Sequence, residues 1–270
     1  MPEILHNIYN DLVGVTHSGR MLTKRGLVLG SLGGTVSGQS VLNSPTDFGF
    51  FDDFENLNTG RWLATEGTDS ATSNAAILAG GIGGVLRLTT GDAGTGLAAD
   101  TEQLTNNTLM FKAANGNLVF EIRVKLSAIT TCWAFFGFTD TVAAALEAPV
   151  ESAASANTLT TNAADAVGFM FDTRMSTDNW WAVGVANNTD ATAQNIGYAP
   201  VADTYEILRV EVDTSGGAVF YRNGVKIGTR MSGAVTASVA LTPVMAVSKT
   251  SVAASMTCDI DYVHASCARA

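Results

Sequence analysis

Tyr205-Glu-Ile-Leu-Arg-Val-Glu-Val-Asp213, Ala218-Val-Phe-Tyr-Arg-Asn-Gly-Val-Lys-Ile-Gly-Thr229 and Met256-Thr-Cys-Asp-Ile-Asp-Tyr-Val263 read as a strand, a hairpin and a closing strand of one antiparallel sheet. Asn223-Gly224 supplies two residues that tolerate positive φ, as a tight type I′ hairpin turn requires, and its flanks alternate apolar with polar residues. In the closing segment Met256, Cys258, Ile260 and Tyr262 share one phase, and Thr257, Asp259 and Asp261 the other. The same period-2 reading puts Ile122, Val124, Leu126, Val210 and Val212 inside with Met256, Ile260 and Tyr262.

Upstream lie Phe51-Asp-Asp-Phe54 with Arg61-Trp62, Gly83-Gly-Val-Leu-Arg-Leu88, Leu118-Val-Phe-Glu-Ile-Arg-Val-Lys-Leu126, and Val167-Gly-Phe-Met-Phe-Asp172 followed by Trp180-Trp-Ala-Val-Gly-Val185. In this order the segments resemble a concanavalin A-like (laminin-G-like) jelly roll, and their wording is similar to such proteins among tailed-bacteriophage virion genes. The resemblance spans residues 47–270. It implies an all-β sandwich of two antiparallel sheets, carried as a head decoration, cement or fibre-like protein on the exterior of the particle and made in the host cytoplasm. Its implied partners are the major capsid protein or another virion protein, with a homotrimer as the assembled form.

Residues 1–46 differ from the rest. They are rich in glycine and carry a net charge of +1, whereas residues 47–270 carry −11. A Gly-rich segment with only short apolar pieces cannot bury a core of its own, so it is expected to be an extended anchoring arm, or else a short hairpin on the same domain. Arg20, Lys24, Arg25, Leu27 and Leu29 are its candidate partner contacts. The acidic remainder repels nucleic acid. No apolar run is long enough for a transmembrane helix, and the N-terminus lacks the basic start of a signal peptide.

Few residues suggest chemistry. Cys132, Cys258 and Cys267 have no metal-ligand or disulfide spacing and read as small buried hydrophobes, so no metal or other cofactor is expected. Glycosidases of this shape place three acids on one strand as E-x-D-x-x-E, but Glu211-Val-Asp213 ends on Gly216. With three histidines and no nucleophile elbow, no catalytic residue is expected and the chain reads as a non-enzyme. The alternative function is a glycan-binding module using Trp180 or Trp181 with Asp178 and Asn179; two adjacent strand residues face opposite ways, so one tryptophan belongs to the core. Asp172, Asp178 and Asp190 could meet a calcium ion, without any fixed-spacing motif. The segments 141–161 and 187–195 read as long loops, where partner contacts are usually made.

Overall fold

Alternation in the sequence becomes a two-layer sandwich because each sheet has one apolar face to bury. The computed structural model describes residues 12–15, 21–23, 28–29, 47–68, 73–81, 83–92, 97–142, 146–152, 157–251 and 255–269. Strands β1 (Leu12–Val15), β2 (Met21–Thr23) and β3 (Val28–Leu29) pair antiparallel in that order. Leu29 is in β3, while Arg20, Lys24, Arg25 and Leu27 lie outside the described residues.

Sheet I contains β4 (Asp47–Asp52), β6 (Asn74–Ile77), β7 (Leu86–Thr89), β9 (Leu118–Leu126), β17 (Glu206–Val212), β18 (Ala218–Arg222), β19 (Val225–Met231) and β21 (Thr257–Ala268). Its order is β19-β18-β17-β9-β21-β7-β6, with β4 also pairing β21. Sheet II contains β5 (Trp62–Glu66), β8 (Glu102–Asn106), β10 (Cys132–Thr139), β13 (Ala166–Asp172), β14 (Trp180–Ala186), β15 (Thr189–Asp190), β16 (Gln194–Asn195) and β20 (Thr242–Lys249). Its order is β15-β14-β13-β10-β20-β8-β5, with β16 also on β14. Every pairing is antiparallel, so the chain is an all-β jelly-roll sandwich. Among the described residues the one α-helical turn is α1 (Leu97–Asp100).

The core fills the space between the sheets with Phe50, Phe54, Trp62, Phe111, Phe120, Phe138, Phe169, Trp180 and Phe220 among others. Their rings meet edge-on or tilted, as Phe169 and Phe220 do at 5.3 Å, the arrangement that aromatic quadrupoles favour. Asn223 and Gly224 take φ of 49° and 77° and close β18 onto β19 as expected. Ile122, Val124, Leu126, Val210, Val212, Met256 and Ile260 are all buried.

Tyr262 is the exception. A register shift between Ile260 and Tyr262 marks a bulge at Asp261, and an inserted residue reverses the facing of all that follow. Val263, Ala265 and Cys267 therefore point inward. Tyr262 faces out, stacked on Phe51 at 5.3 Å, with its hydroxyl donating to Glu121 at 2.9 Å.

The two sheets differ in what covers them. On β9 buried and half-buried residues alternate along the strand, while β10, β13 and β20 are buried at every position. Sheet II is covered on its outer face by a second apolar layer, in which Trp133, Phe135, Met170, Trp181 and Val183 meet Ala148, Val150 and Ala163. The cover is not the loop expected from the sequence. It holds a hairpin of β11 (Val150–Ser152) and β12 (Leu159–Thr161) that pairs with neither main sheet. The polar stretch after the tryptophans is likewise partly stranded, since β15 and β16 both pair with β14.

Candidate functional site

The cover forms a strap across sheet II, held down by polar contacts. Trp133 Nε1 donates to the Val150 carbonyl at 2.9 Å, and the Ser152 amide donates to Asp172 Oδ2 at 2.9 Å. The Ala148 amide donates to Gln103 Oε1 at 3.3 Å, and Asn162 Nδ2 donates to the Ala148 carbonyl at 3.0 Å. Asp172 is fully buried and also takes the Arg174 guanidinium at 2.7 Å, the paired state that a buried carboxylate requires. That carboxylate is thus occupied within the protein. No group of three or more His, Cys, Asp or Glu among the described residues could hold a metal ion.

A groove lies on each flank of the strap. The first, of about 480 Å³, is lined by Asn157, Thr158, Leu159, Trp181, Asp190, Ala191, Thr192 and Ala193. Trp181 is buried there, so the groove shows little of its indole and presents mainly an amide, hydroxyls and a carboxylate, groups that can hydrogen-bond the hydroxyls of a sugar. The second, of about 470 Å³, lies between α1 and the strap and includes Thr141, Glu147, Ala148, Glu151 and Asn162.

The two tryptophans do face opposite ways. Trp180 is in the core, 1% exposed, between Phe136 and Phe171, with Nε1 donating to Glu206 at 3.2 Å; no ligand can stack on it. Trp181 is 6% exposed, lines the first groove and donates from Nε1 to the Thr177 carbonyl at 3.3 Å. Asp178 is exposed and Asn179 half-buried, its amide donating to Asn195 at 3.0 Å. Neither lines the groove, whose polar rim comes instead from Asn157, Thr158, Asp190 and Thr192. Sequence reading met Asp190 only as a candidate calcium contact and missed Asn157, Thr158 and Thr192, and also Glu147 and Glu151, because they sit on segments taken for loops. A signal was present: the unbroken apolar runs of β10, β13 and β14 announce a sheet covered on both faces.

Among the described residues no second apolar layer covers the outer face of sheet I. A groove of about 540 Å³ there is lined by Arg209, Glu211, Asp213, Arg230, His264 and Ser266 among others. Arg209 bridges Glu121 at 3.5 Å and Glu211 at 2.5 Å, and the Tyr221 hydroxyl donates to Glu211 at 3.2 Å. Glu211 and Asp213 are thereby partners in a cross-strand ladder. Desolvation pushes the Asp213 carboxyl up, but hydrogen bonds from Ser215, Arg230 and the Gly217 amide together outweigh it and hold it down to about 2. His264 faces out from the central strand β21, its pKa lowered by burial. All three cysteines are buried and free, and burial pushes the Cys132 thiol up to about 12, so it stays protonated and inert. No helix among the described residues is long and apolar enough to cross a membrane.

Solved structures share this architecture. A Bacillus licheniformis beta-glucanase aligns at 13% identity over 80% of this chain and 97% of its own, with a TM-score of 0.54. A glycoside hydrolase family 16 endo-glucanase from Bacteroides ovatus, in complex with G4G3G-2F-DNP, aligns at 12% identity over 79% and 98%, with a TM-score of 0.55. A LamA variant from Z. galactanivorans, in complex with laminaritriose and laminaritetraose, aligns at 10% over 83% and 99%, also at 0.55. No protein-family model matches the chain. No curated protein matches it either.

At such identities the likeness is one of fold, and the concanavalin A-like jelly roll is shown. The likeness does correct one expectation from the sequence. The chain was read as a non-enzyme because Glu211-Asp213 lacks a third acid, yet the fold it shares is that of endo-glucanases, so a missing motif on one sheet I strand gives no ground for excluding hydrolysis. A virion identity finds no support among these structures.

Proposed function

We propose that this chain binds, and in doing so serves to process, a β-glucan-like polysaccharide on the outer side of sheet II. The observation that carries this is the groove of about 480 Å³ beside the strap, where Trp181 lies among Asn157, Thr158, Asp190 and Thr192. The sugar ligands named with two of the structures of the same fold support the reading. The edges of a sugar are hydroxyls, and the short polar side chains of this groove supply the hydrogen-bonding partners they need.

Titration calorimetry with laminarin and with soluble mixed-linkage β-glucan tests it. The native chain should give saturable binding to at least one, and the double variant Asp190→Ala/Thr192→Val should weaken it at least tenfold, or about 1.4 kcal/mol. Absent binding to both glucans, or unchanged affinity in the double variant, would overturn the assignment.

A narrower reading adds a setting. The +1 charge of residues 1–46 against −11 for the remainder favours an arm that attaches this domain to an acidic partner surface. Together with the segment wording, this supports display on the outside of a tailed-phage particle, with Arg20, Lys24, Arg25, Leu27 and Leu29 as contacts to a capsid or other virion protein and a trimer as the assembled form. Particles incubated with a chain lacking residues 1–46 should remain bare; full occupancy by that chain would remove the arm as anchor.

A further inference from the structure

The groove beside Trp181 has a sign as well as a shape. Of the residues that line it only Asp190 is charged, and none is a base. Asp190 is exposed on β15, and no ion pair reaches it among the described residues. Asn157 holds its Oδ1 on Ser176, accepting from the amide at 3.3 Å and from the hydroxyl at 2.7 Å, which leaves its Nδ2 as a donor for a ligand.

The surroundings carry the same sign. From residue 126 to residue 208 the chain has one base, Arg174, against nine acids. That span supplies the strap hairpin and the β15-β14-β13-β10 side of sheet II. Arg174 is not free to offset Asp190, because it bridges Asp172 at 2.7 Å and Glu151 at 3.0 Å. The remaining strands of sheet II add one base, Lys249, which is buried. Bases gather on sheet I instead, where Arg87, Arg123, Lys125, Arg209 and Arg222 are each paired with a carboxylate of that sheet. The acidity of the chain thus falls on the side of the sandwich that holds the groove.

We infer that Asp190 is a specificity-determining residue, through which this groove accepts uncharged glycans and turns away acidic ones. The inference rests on the glycan-binding reading above. A sugar hydroxyl both donates and accepts, so it can use the Asp190 carboxylate and the Asn157 amide. A uronate carboxylate or a sulfate only accepts and is itself negative. Beside Asp190 it sets two like charges against each other, and no lining base repays its lost hydration. Salt weakens such rejection, since the screening length falls from about 30 Å at 0.01 M to about 3 Å at 1 M.

Calorimetry of the full chain with soluble mixed-linkage β-glucan, and with the same glucan oxidised at C6 to its uronate, tests this. At about 0.01 M salt the native chain should bind the neutral form about tenfold more tightly or better, and at about 1 M the ratio should fall to about threefold or less. Asp190→Asn keeps an accepting oxygen and loses the charge. It should hold the neutral glucan within about threefold of the native affinity and lower the ratio at low salt. Asp203→Asn removes a like charge beside Arg87 and Lys125 of sheet I, at a positive φ that asparagine tolerates, and should leave the ratio unchanged. Equal binding of the two glucans, tighter binding of the oxidised one, or a ratio that either salt or Asp190→Asn fails to lower would overturn the inference and leave the glycan reading standing. A ratio lowered equally by the two variants would remove Asp190 as its source. Absence of binding to both glucans would remove the glycan reading, and this inference with it.

Discussion

Glu102 shows how far a single side chain can depart from its ordinary chemistry in this fold. It shares the inward phase of Leu104 on β8, is 0% exposed, and neither carboxyl oxygen has a hydrogen-bond partner. Desolvation, with a smaller contribution from Glu66, pushes it up to about 8 from 4.5. The folded chain therefore holds a proton between these values that the unfolded chain releases. Stability is highest below about pH 4.5 and falls as pH rises toward 8, by up to about 1.4 kcal/mol per unit from this group. Glu102→Gln cannot ionise, so its urea midpoint should gain steadily on the native chain from pH 5 to pH 8; parallel curves would show that Glu102 is not a buried neutral acid. Nothing in the sequence marked this residue, since Glu102-Gln-Leu-Thr alternates like a strand with one open face. Tyr262 was misplaced for a related reason: period-2 reading assumes an unbroken ladder, and the bulge at Asp261 is invisible without the partner strand β9.

Elements were legible in proportion to how much of their pattern was local. The Asn223-Gly224 hairpin, the alternating β9 and β17, and β21 as far as its bulge follow directly from residue order, because their outer face is open and remains polar. The β11–β12 hairpin was not legible. Its short strands carry Ala, Ser and Thr around Pro149 and owe their position to Trp133 and Asp172 on sheet II, which no local pattern specifies. The grooves at its flanks were illegible with it. Asp172 is the strongest of these anchors, since it binds the Ser152 amide of the strap and the Arg174 guanidinium in a fully buried site. Asp172→Ala would leave Arg174 with Glu151 and take from the Ser152 amide its acceptor on sheet II. Removing one partner of such a pair costs about 3–5 kcal/mol, so chemical denaturation should show a loss of that size. A change under 1 kcal/mol would mean that the strap is held by its apolar layer alone.

At the scale of the whole molecule, stability and attachment should reside in different parts of the chain. Among the described residues every strand of the two large sheets falls between Asp47 and Ala268, and β4 enters by pairing along the end of β21 from Val263↔Asp52 to Ala268↔Asp47. The closing pair thus joins the first strand of the sandwich to its last, and among the described residues the core runs from Phe50 to Cys267. Strands β1 to β3 pair only among themselves in the sheet order, so they contribute no ladder hydrogen bonds to the sandwich. A chain starting at residue 47 is therefore expected to keep the β-sheet circular dichroism of the full chain and to melt within a few degrees of it, a shift of about 1 kcal/mol or less for a domain this large. It should also retain the glucan affinity of the full chain, because both grooves lie on sheet II. A cut that instead begins after Asp52 removes β4 with its Phe48 and Phe50, exposes the flank of β21 and uncovers Phe111 and Trp62 on which those rings pack, and should lower the melting temperature steeply. Equal losses from the two cuts would show that residues 1–46 belong to the fold of the sandwich and are not a separable arm.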